Sequence, residues 1–228
     1  MERKIIAING TIGSGKDTFA KTFITNGFTR MSFAETLKDA VAAIFGWDRE
    51  MLEGSTEESR KIRESVDEFW SAELGYEITP RYVLQHLGTD ILREYFCDDL
   101  WILSLKRKLL QTKGNVIITD CRFPNEVEML RKMNATIIEV QRVLPVWYED
   151  AVWYNNFIEE KYEEIAKQNY YDDSEIQMKL ECYMPASLHH IHKSEYSWVG
   201  MNHPDYIVQN TDGIEELQQK ALDIITKI

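Results

Sequence analysis

The run Lys4-Ile-Ile-Ala-Ile-Asn9 is apolar and β-branched, and it breaks at once into Gly10-Thr-Ile-Gly13-Ser14-Gly15-Lys16-Asp17-Thr18. Phe19, Ala20 and Phe23 then recur at helical spacing, so the first 24 residues predict a strand, a glycine-rich loop and a helix. Few local patterns restrict a chain so strongly. Gly10, Gly13 and Gly15 allow successive backbone N–H groups to turn inward around Ser14, and the helix start adds partial positive charge at the same place. Lys16 extends a cation toward whatever those amides cradle. In this strand-to-helix context the spacing is that of a phosphate-binding loop, with the lysine on the outer phosphates of a nucleoside triphosphate. ATP is therefore the expected cofactor.

One position departs from the general pattern. The residue after the lysine is Asp17, where a hydroxyl normally meets Mg²⁺, and Thr18 follows one place later. Either Asp17 contacts the metal, directly or through water, or it caps the helix and orients Thr18. Both residues are candidate Mg²⁺ contacts.

Further short apolar runs at Phe28–Ser32, Val116–Thr119, Thr136–Val140 and Tyr206–Gln209 predict strands. Between them lie helical patterns at about Ala34–Phe45, Ser55–Leu74, Thr79–Leu92, Asp98–Leu110, Pro124–Met133 and Ile214–Ile225. Such alternation predicts an α/β chain, a P-loop NTPase-like three-layer fold around a parallel sheet, with residues 1–228 as a single domain. A length of 228 residues with 44% hydrophobic side chains suffices for that core. Residues 145–187 stand apart, with ten Asp or Glu against three Lys and no Arg. Trp147, Ala151, Tyr154, Ile158, Tyr162 and Ile165 keep helical spacing there, so this aromatic, acidic segment predicts a helix or helical hairpin inserted between two strands.

A formal net charge of −12 argues against a nucleic-acid partner, because broad phosphate neutralisation needs clustered Lys and Arg. A small anion needs only a local positive pocket. Cys97, Cys121 and Cys182 form neither a CxxC pair nor an even set, which fits a reducing cytoplasm. No apolar run approaches membrane-spanning length, so no membrane partner is expected.

Ile117-Ile-Thr-Asp120-Cys-Arg122 places an acid and a base just past the carboxyl end of a buried strand, the sheet edge where ligands bind in this architecture. Asp120 could hold Mg²⁺ or accept a proton from the attacking group, and Arg122 could clamp a phosphoryl group through two N–H donors. Asp-x-x-Gly and Asn-Lys-x-Asp, which a GTPase requires, occur nowhere. His189, His190 and His192 have no accompanying Cys or regular carboxylate spacing, and are expected to be ordinary histidines rather than a zinc site.

With these residues in view, the chain resembles the bacteriophage-type deoxynucleoside monophosphate kinases. The resemblance rests on Gly15-Lys16-Asp17-Thr18, Arg81 through Leu87-Gly88-Thr89-Asp90, Thr119-Asp120-Cys121-Arg122, the strand ending at Arg142, His192-x-Ser194-Glu195, and Asn210-x-x-Gly213. It implies γ-phosphoryl transfer from ATP to a deoxynucleoside monophosphate with Mg²⁺, by an enzyme that is often a homodimer and, given the family's viral association, works in a host cytoplasm. Lys16, Asp120, Arg122 and Arg142 would be the catalytic set. Lys38, Arg81, Gln85 and Asp90 would line the monophosphate side, and Asn210 would lie near the adenine. The 145–187 insertion falls where such kinases carry an arginine-bearing lid. Here either Arg142 and Lys193 at its edges supply the cations, or the insertion serves a dimer interface. Two rival readings stay open: a P-loop kinase of another small acceptor, such as dephospho-coenzyme A or phosphomevalonate, and a partner-coupled ATP-binding module.

Overall fold

In the computed structural model, which describes residues 3–167, 172–201 and 203–228, the strand β1 (Ile5–Asn9) is buried at every position. Such burial requires cover on both faces, and the side chains divide accordingly. Ile5 and Ala7 join one apolar cluster, whereas Ile6 and Ile8 join another. The same alternation continues in β3 (Val116–Ile118) and β4 (Thr136–Gln141), where Ile118 and Ile137 face one layer and Ile117 and Ile138 face the other. With β2 (Thr29–Met31) and β5 (Tyr206–Gln209), these strands form a five-stranded sheet in the order β2-β3-β1-β4-β5, and every pairing is parallel. The expected three-layer α/β fold is the observed one.

Two helices cover the Ile6–Ile8 face: α1 (Lys16–Thr25), through Phe19, Ala20 and Phe23, and α11 (Ile214–Lys227), through Leu217, Ala221 and Ile224. On the opposite face, α2 (Glu35–Phe45), α5 (Pro80–Gln85), α6 (Leu100–Gln111) and α7 (Pro124–Lys132) pack Leu37, Val83, Leu105 and Leu130 against the sheet.

Two helical predictions differ in detail. The Ser55–Leu74 stretch is two helices, α3 (Glu57–Glu64) and α4 (Glu68–Leu74), because Ser65 is extended and Asp67 caps a new start by accepting from the Trp70 N–H. The helix begun at Thr79-Pro80 stays regular only to Gln85. It widens into a π-type helix over His86–Phe96, where the Cys97 N–H reaches back five residues to the Leu92 carbonyl at 2.9 Å.

The insertion is a pair of helices, α8 (Tyr148–Ala166) and α9 (Asp173–Glu181), and residues 168–171 within it lie outside the described residues. It has its own small core. Tyr148, Ala151 and Tyr154 of α8 pack with Leu188, Trp198, Val199 and Tyr196, the last from the short helix α10 (Lys193–Tyr196). A buried Tyr148 hydroxyl donates to Glu139 of β4 at 2.6 Å, tying the insertion to the sheet. No helix of the described residues is long and apolar enough to cross a membrane.

Phe23 is wholly buried, with ring centroids 5.5 Å from Phe19 and 5.2 Å from Phe28. Phe23→Ala therefore opens a cavity beneath the loop-bearing helix and is expected to cost about 3–5 kcal/mol. Chemical denaturation of the variant should show the midpoint fall at unchanged slope.

Candidate active site

Because β1 and β3 are neighbours, their carboxyl ends deliver the glycine loop and the Asp120–Arg122 segment side by side. Asn9, at the end of β1, donates its amide to the Cys121 carbonyl at 2.7 Å and holds the two together. In the loop, Gly15 takes φ 95°, a conformation strained for any side chain, and an added Cβ at Gly10 would stand 2.5 Å from the Ser14 hydroxyl and 2.6 Å from the Val140 carbonyl. Asn210, just past β5, donates to the Ser14 carbonyl at 2.9 Å, so it supports the loop from the side. The Ser14 hydroxyl is buried without a hydrogen-bond partner.

These elements border a cleft of about 340 Å³. Its walls carry eight cations (Lys16, Arg30, Lys38, Arg60, Arg63, Arg81, Arg93, Arg122) and six carboxylates (Asp17, Glu53, Glu64, Asp120, Glu126, Glu195), an excess of two positive charges in a chain of net charge −12. That inversion of sign is what an anionic ligand requires. Lys16 reaches the Thr11 carbonyl at 3.5 Å, and burial, reinforced by the charge of Arg122, lowers its pKa. Asp120 is firmly held: its carboxylate accepts from the Ser32 hydroxyl at 2.6 Å, the Phe33 N–H at 3.0 Å and the Ala34 N–H at 2.9 Å. It thereby fixes the β2–α2 connection against the segment that follows β3.

Lys38 is buried and donates to Glu53 at 2.8 Å, and Arg49 meets the other Glu53 oxygen at 2.5 Å. Arg81 bridges Glu64 at 2.8 Å and Glu195 at 3.4 Å, while Arg122 donates to Glu195 at 2.6 Å. Gln85 lines the cleft and a second cavity of about 350 Å³, bounded also by Pro145, Trp147 and His190; both cavities share Ile12, Arg81 and Glu195. Lys16, Asp17, Lys38, Arg81, Gln85, Asp120 and Arg122 thus converge on one cleft. Of the loop glycines only Gly13 lines it, and Gly10, Ser14, Gly15, Thr18, Asp90, Arg142 and Asn210 are not among its lining residues. Asp90 instead bonds His86 at 3.1 Å and approaches His192 at 3.4 Å, and Arg142 is exposed beyond β4.

Sequence patterns alone did not single out Arg63 and Arg93. Arg63, on α3, turns into the cleft with its Nε buried and without a partner, and burial followed by the charges of Arg81 and Arg122 lowers its pKa. Arg93, in the π-type helix, lies over the Phe123 ring at 3.9 Å and pairs with the buried Glu126 at 2.9 Å. Only the charged, helical character of residues 55–74 hinted at the first. Among the described residues no group of three or more His, Cys, Asp or Glu side chains converges as a preassembled metal site.

Residues 49–152 match the deoxynucleotide monophosphate kinase family, a span that contains Arg63, Arg81, Asp120 and Arg122. A protein of Acanthamoeba polyphaga mimivirus, provisionally named as a deoxynucleotide monophosphate kinase, is 31% identical over 153 residues, covering 60% of this chain and 74% of that one. The deoxynucleoside-5′-monophosphate kinase of Escherichia phage T5 is 27% identical over 181 residues, covering 57% and 72%. The solved structure of TT1252 from Thermus thermophilus aligns with all of this chain and 99% of its own at a TM-score of 0.43 and 16% identity.

The Glu53 network makes the cleft wall acid-sensitive. Burial works to raise its pKa, but the hydrogen bonds and charges of Lys38 and Arg49 prevail and hold it down at about 2, against an ordinary 4.5. A depressed folded-state value contributes stability that is complete above the unfolded value and is lost as pH falls through the folded one. Glu53→Gln should therefore be less stable than wild type near neutrality, the difference shrinking as pH drops from about 4.5 toward 2. Urea midpoints measured across that range check it; a constant difference would detach Glu53 from the effect.

Proposed function

The chain belongs to the deoxynucleotide monophosphate kinase family, and on that premise we propose that it moves the γ-phosphoryl group of ATP onto a deoxynucleoside monophosphate, giving ADP and the diphosphate. One observation carries the assignment of residues: the phosphate-loop Lys16 opens into the same cleft as Arg122, Arg81, Arg63 and Lys38. A cleft continuous from loop to cations suits a donor triphosphate and an acceptor phosphate placed end to end.

In this reading the loop amides, with Gly10, Gly13, Ser14 and Gly15, hold the ATP phosphates, and Lys16 neutralises the outer ones. Arg122, beside both, follows charge onto the transferring group, so catalysis is positioning and electrostatic stabilisation without a covalent intermediate. Lys38, Arg81 and Gln85 face the acceptor, above an apolar floor that includes Phe33, Leu37 and Trp101. Bound Mg²⁺ supplies further neutralisation of the triphosphate. Asp17 and Asp120 are the cleft carboxylates that would hold it, and Thr18 follows in the first turn of α1. Asn210 supports the loop near the adenine end, Asp90 braces the acceptor wall through its histidine contacts, and Arg142 acts from the lid side as the connection before α8 closes. We extend the proposal to a homodimer in a reducing cytoplasm; three free cysteines support the compartment, and exposed Val143 and Val146 offer apolar surface to a second copy.

Coupled ADP release with Mg-ATP across the common deoxynucleoside and ribonucleoside monophosphates tests the reaction, and turnover on at least one deoxynucleotide is expected. Lys16→Ala should reduce turnover to background while leaving the thermal transition in place. Arg122→Ala is expected to lower kcat by about 10²–10³ with little change in ATP affinity. An unchanged kcat in either variant would remove that residue from the site.

A further inference from the structure

The inserted segment presents a puzzle of charge: between residues 145 and 187 it carries ten carboxylates and no arginine, yet it borders a phosphate site. Its architecture shows where its influence falls. Asn155, buried on α8, donates both amide hydrogens, one to the Tyr196 carbonyl and one to the Val199 carbonyl, each at 2.8 Å. Tyr196 also packs against Tyr154, with ring centroids 6.4 Å apart. The insertion therefore grips the C-terminal end of α10. The opposite end of that helix is held by the core: His192 caps it by accepting from the Ser194 N–H and approaches Asp90 at 3.4 Å, and Lys193 pairs with Glu94 of the π-type helix.

A four-residue helix pinned at both ends presents its cleft-lining residues, Ser194 and Glu195, with little freedom, and one of them is charged. That side chain is Glu195, and one oxygen, Oε1, accepts from Arg122 at 2.6 Å and from Arg81 at 3.4 Å. The same Arg122 nitrogen, Nη1, also lies 3.4 Å from the Ser194 carbonyl. Both contacts of the guanidinium with α10 thus engage one corner, Nη1, and its Nη2 and Nε remain oriented by them. A guanidinium is planar, so fixing one corner fixes the directions in which the other donors point.

We propose that Glu195 is a positioning residue for phosphoryl transfer, and that the inserted helices act by holding it against Arg122 rather than by contributing a cation to a lid. The inference rests on the kinase reading of the cleft. Glu195 does not touch the reacting atoms; it acts through Arg122, and in part through Arg81.

Steady-state kinetics of the full chain with Mg-ATP and the accepted deoxynucleotide test it, on Glu195→Ala, Glu195→Gln, Arg122→Ala and the Glu195→Ala/Arg122→Ala double variant. Glu195→Ala is expected to lower kcat by between about tenfold and a hundredfold, the scale of a misplaced group, with KM for ATP nearly unchanged. Glu195→Gln should recover part of the loss, since its amide oxygen still accepts from the guanidinium. In the Arg122→Ala background the Glu195→Ala substitution should have little further effect, because the group it positions is gone. A full additional loss there points to a merely structural role and overturns the proposal. So does an unchanged or increased kcat in Glu195→Ala, which would make Glu195 a bystander or a competitor of the phosphate. A second measurement needs no turnover: rotation of the Arg122 guanidinium, followed by its nitrogen NMR signals, should be slow in wild type and fast in Glu195→Ala. Free rotation in wild type sinks the proposal, whereas slow rotation in a protein that phosphorylates no deoxynucleotide sinks only the kinase reading.

Discussion

Eight cationic side chains cannot share one cleft without carboxylates between them, and the geometry of this protein follows from where those carboxylates are. Like charges drawn out of water repel and lose hydration together, so each must be matched or must await a ligand. Glu53 takes Lys38 and Arg49; Glu126 takes Arg93; Glu195 takes Arg122 and Arg81. Each carboxylate belongs to a different part of the chain, which is why the cleft closes only when the whole fold is in place. Among the described residues, Arg63 reaches only the Glu53 carbonyl, at 3.5 Å, and keeps its Nε buried without a hydrogen-bond partner.

The parallel sheet turns this electrostatic requirement into a location. All five strands point their carboxyl ends the same way, so loop, Asp120 and the connection after β2 arrive on one edge. The two central contacts are short and buried or nearly so: Asn9 to the Cys121 carbonyl, and Asp120 to the Ser32–Ala34 backbone and hydroxyl. Asp120 can therefore hold this wall and still meet a further partner. A carboxylate oxygen that accepts from a loop amide retains lone-pair capacity for a further partner, so holding the wall also points the acid.

How much of this was legible in the sequence depends on the range of the interaction that decides each feature. The strand–loop–helix unit is local: β-branched burial, then glycine, then a 3.6-residue apolar period, and β1 and α1 begin and end close to where that pattern places them. The paired helices of the insertion are legible for the same reason. The break at Ser65–Asp67 was hidden because α3 and α4 are both charged and amphipathic, and only the Asp67 cap separates them. The π-type turn at His86–Phe96 was hidden because its spacing is set by packing, with Trp101 donating to the Gly88 carbonyl at 2.8 Å. Arg63 and Glu195 reach the cleft over long stretches of chain. Nothing in the residues around Arg63 marks one arginine of several as the inward one, whereas His192-x-Ser194-Glu195 stands out as a motif without showing which side chains it meets.

The acidic insertion is intelligible once the sign of the whole site is considered. A segment that placed more cations over the cleft would add to a wall that already holds eight. Before a nucleotide binds, those cations need a counter-charge, and Glu195 provides it at a place fixed by Asn155 and His192. Burial works to raise the Glu195 pKa, yet Arg122, then Arg81 and Lys16, draw it below the usual carboxylate range, so it is anionic wherever the enzyme is folded near neutrality. The carboxylate nearest the arginines is therefore permanent, whereas the phosphates come and go. A permanent anion behind a guanidinium and a transient one before it are compatible, since the planar group presents separate edges to each. The insertion's own carboxylates line no part of the cleft; what its helices contribute is the grip of Asn155 on the end of α10, which holds Glu195 against the arginines.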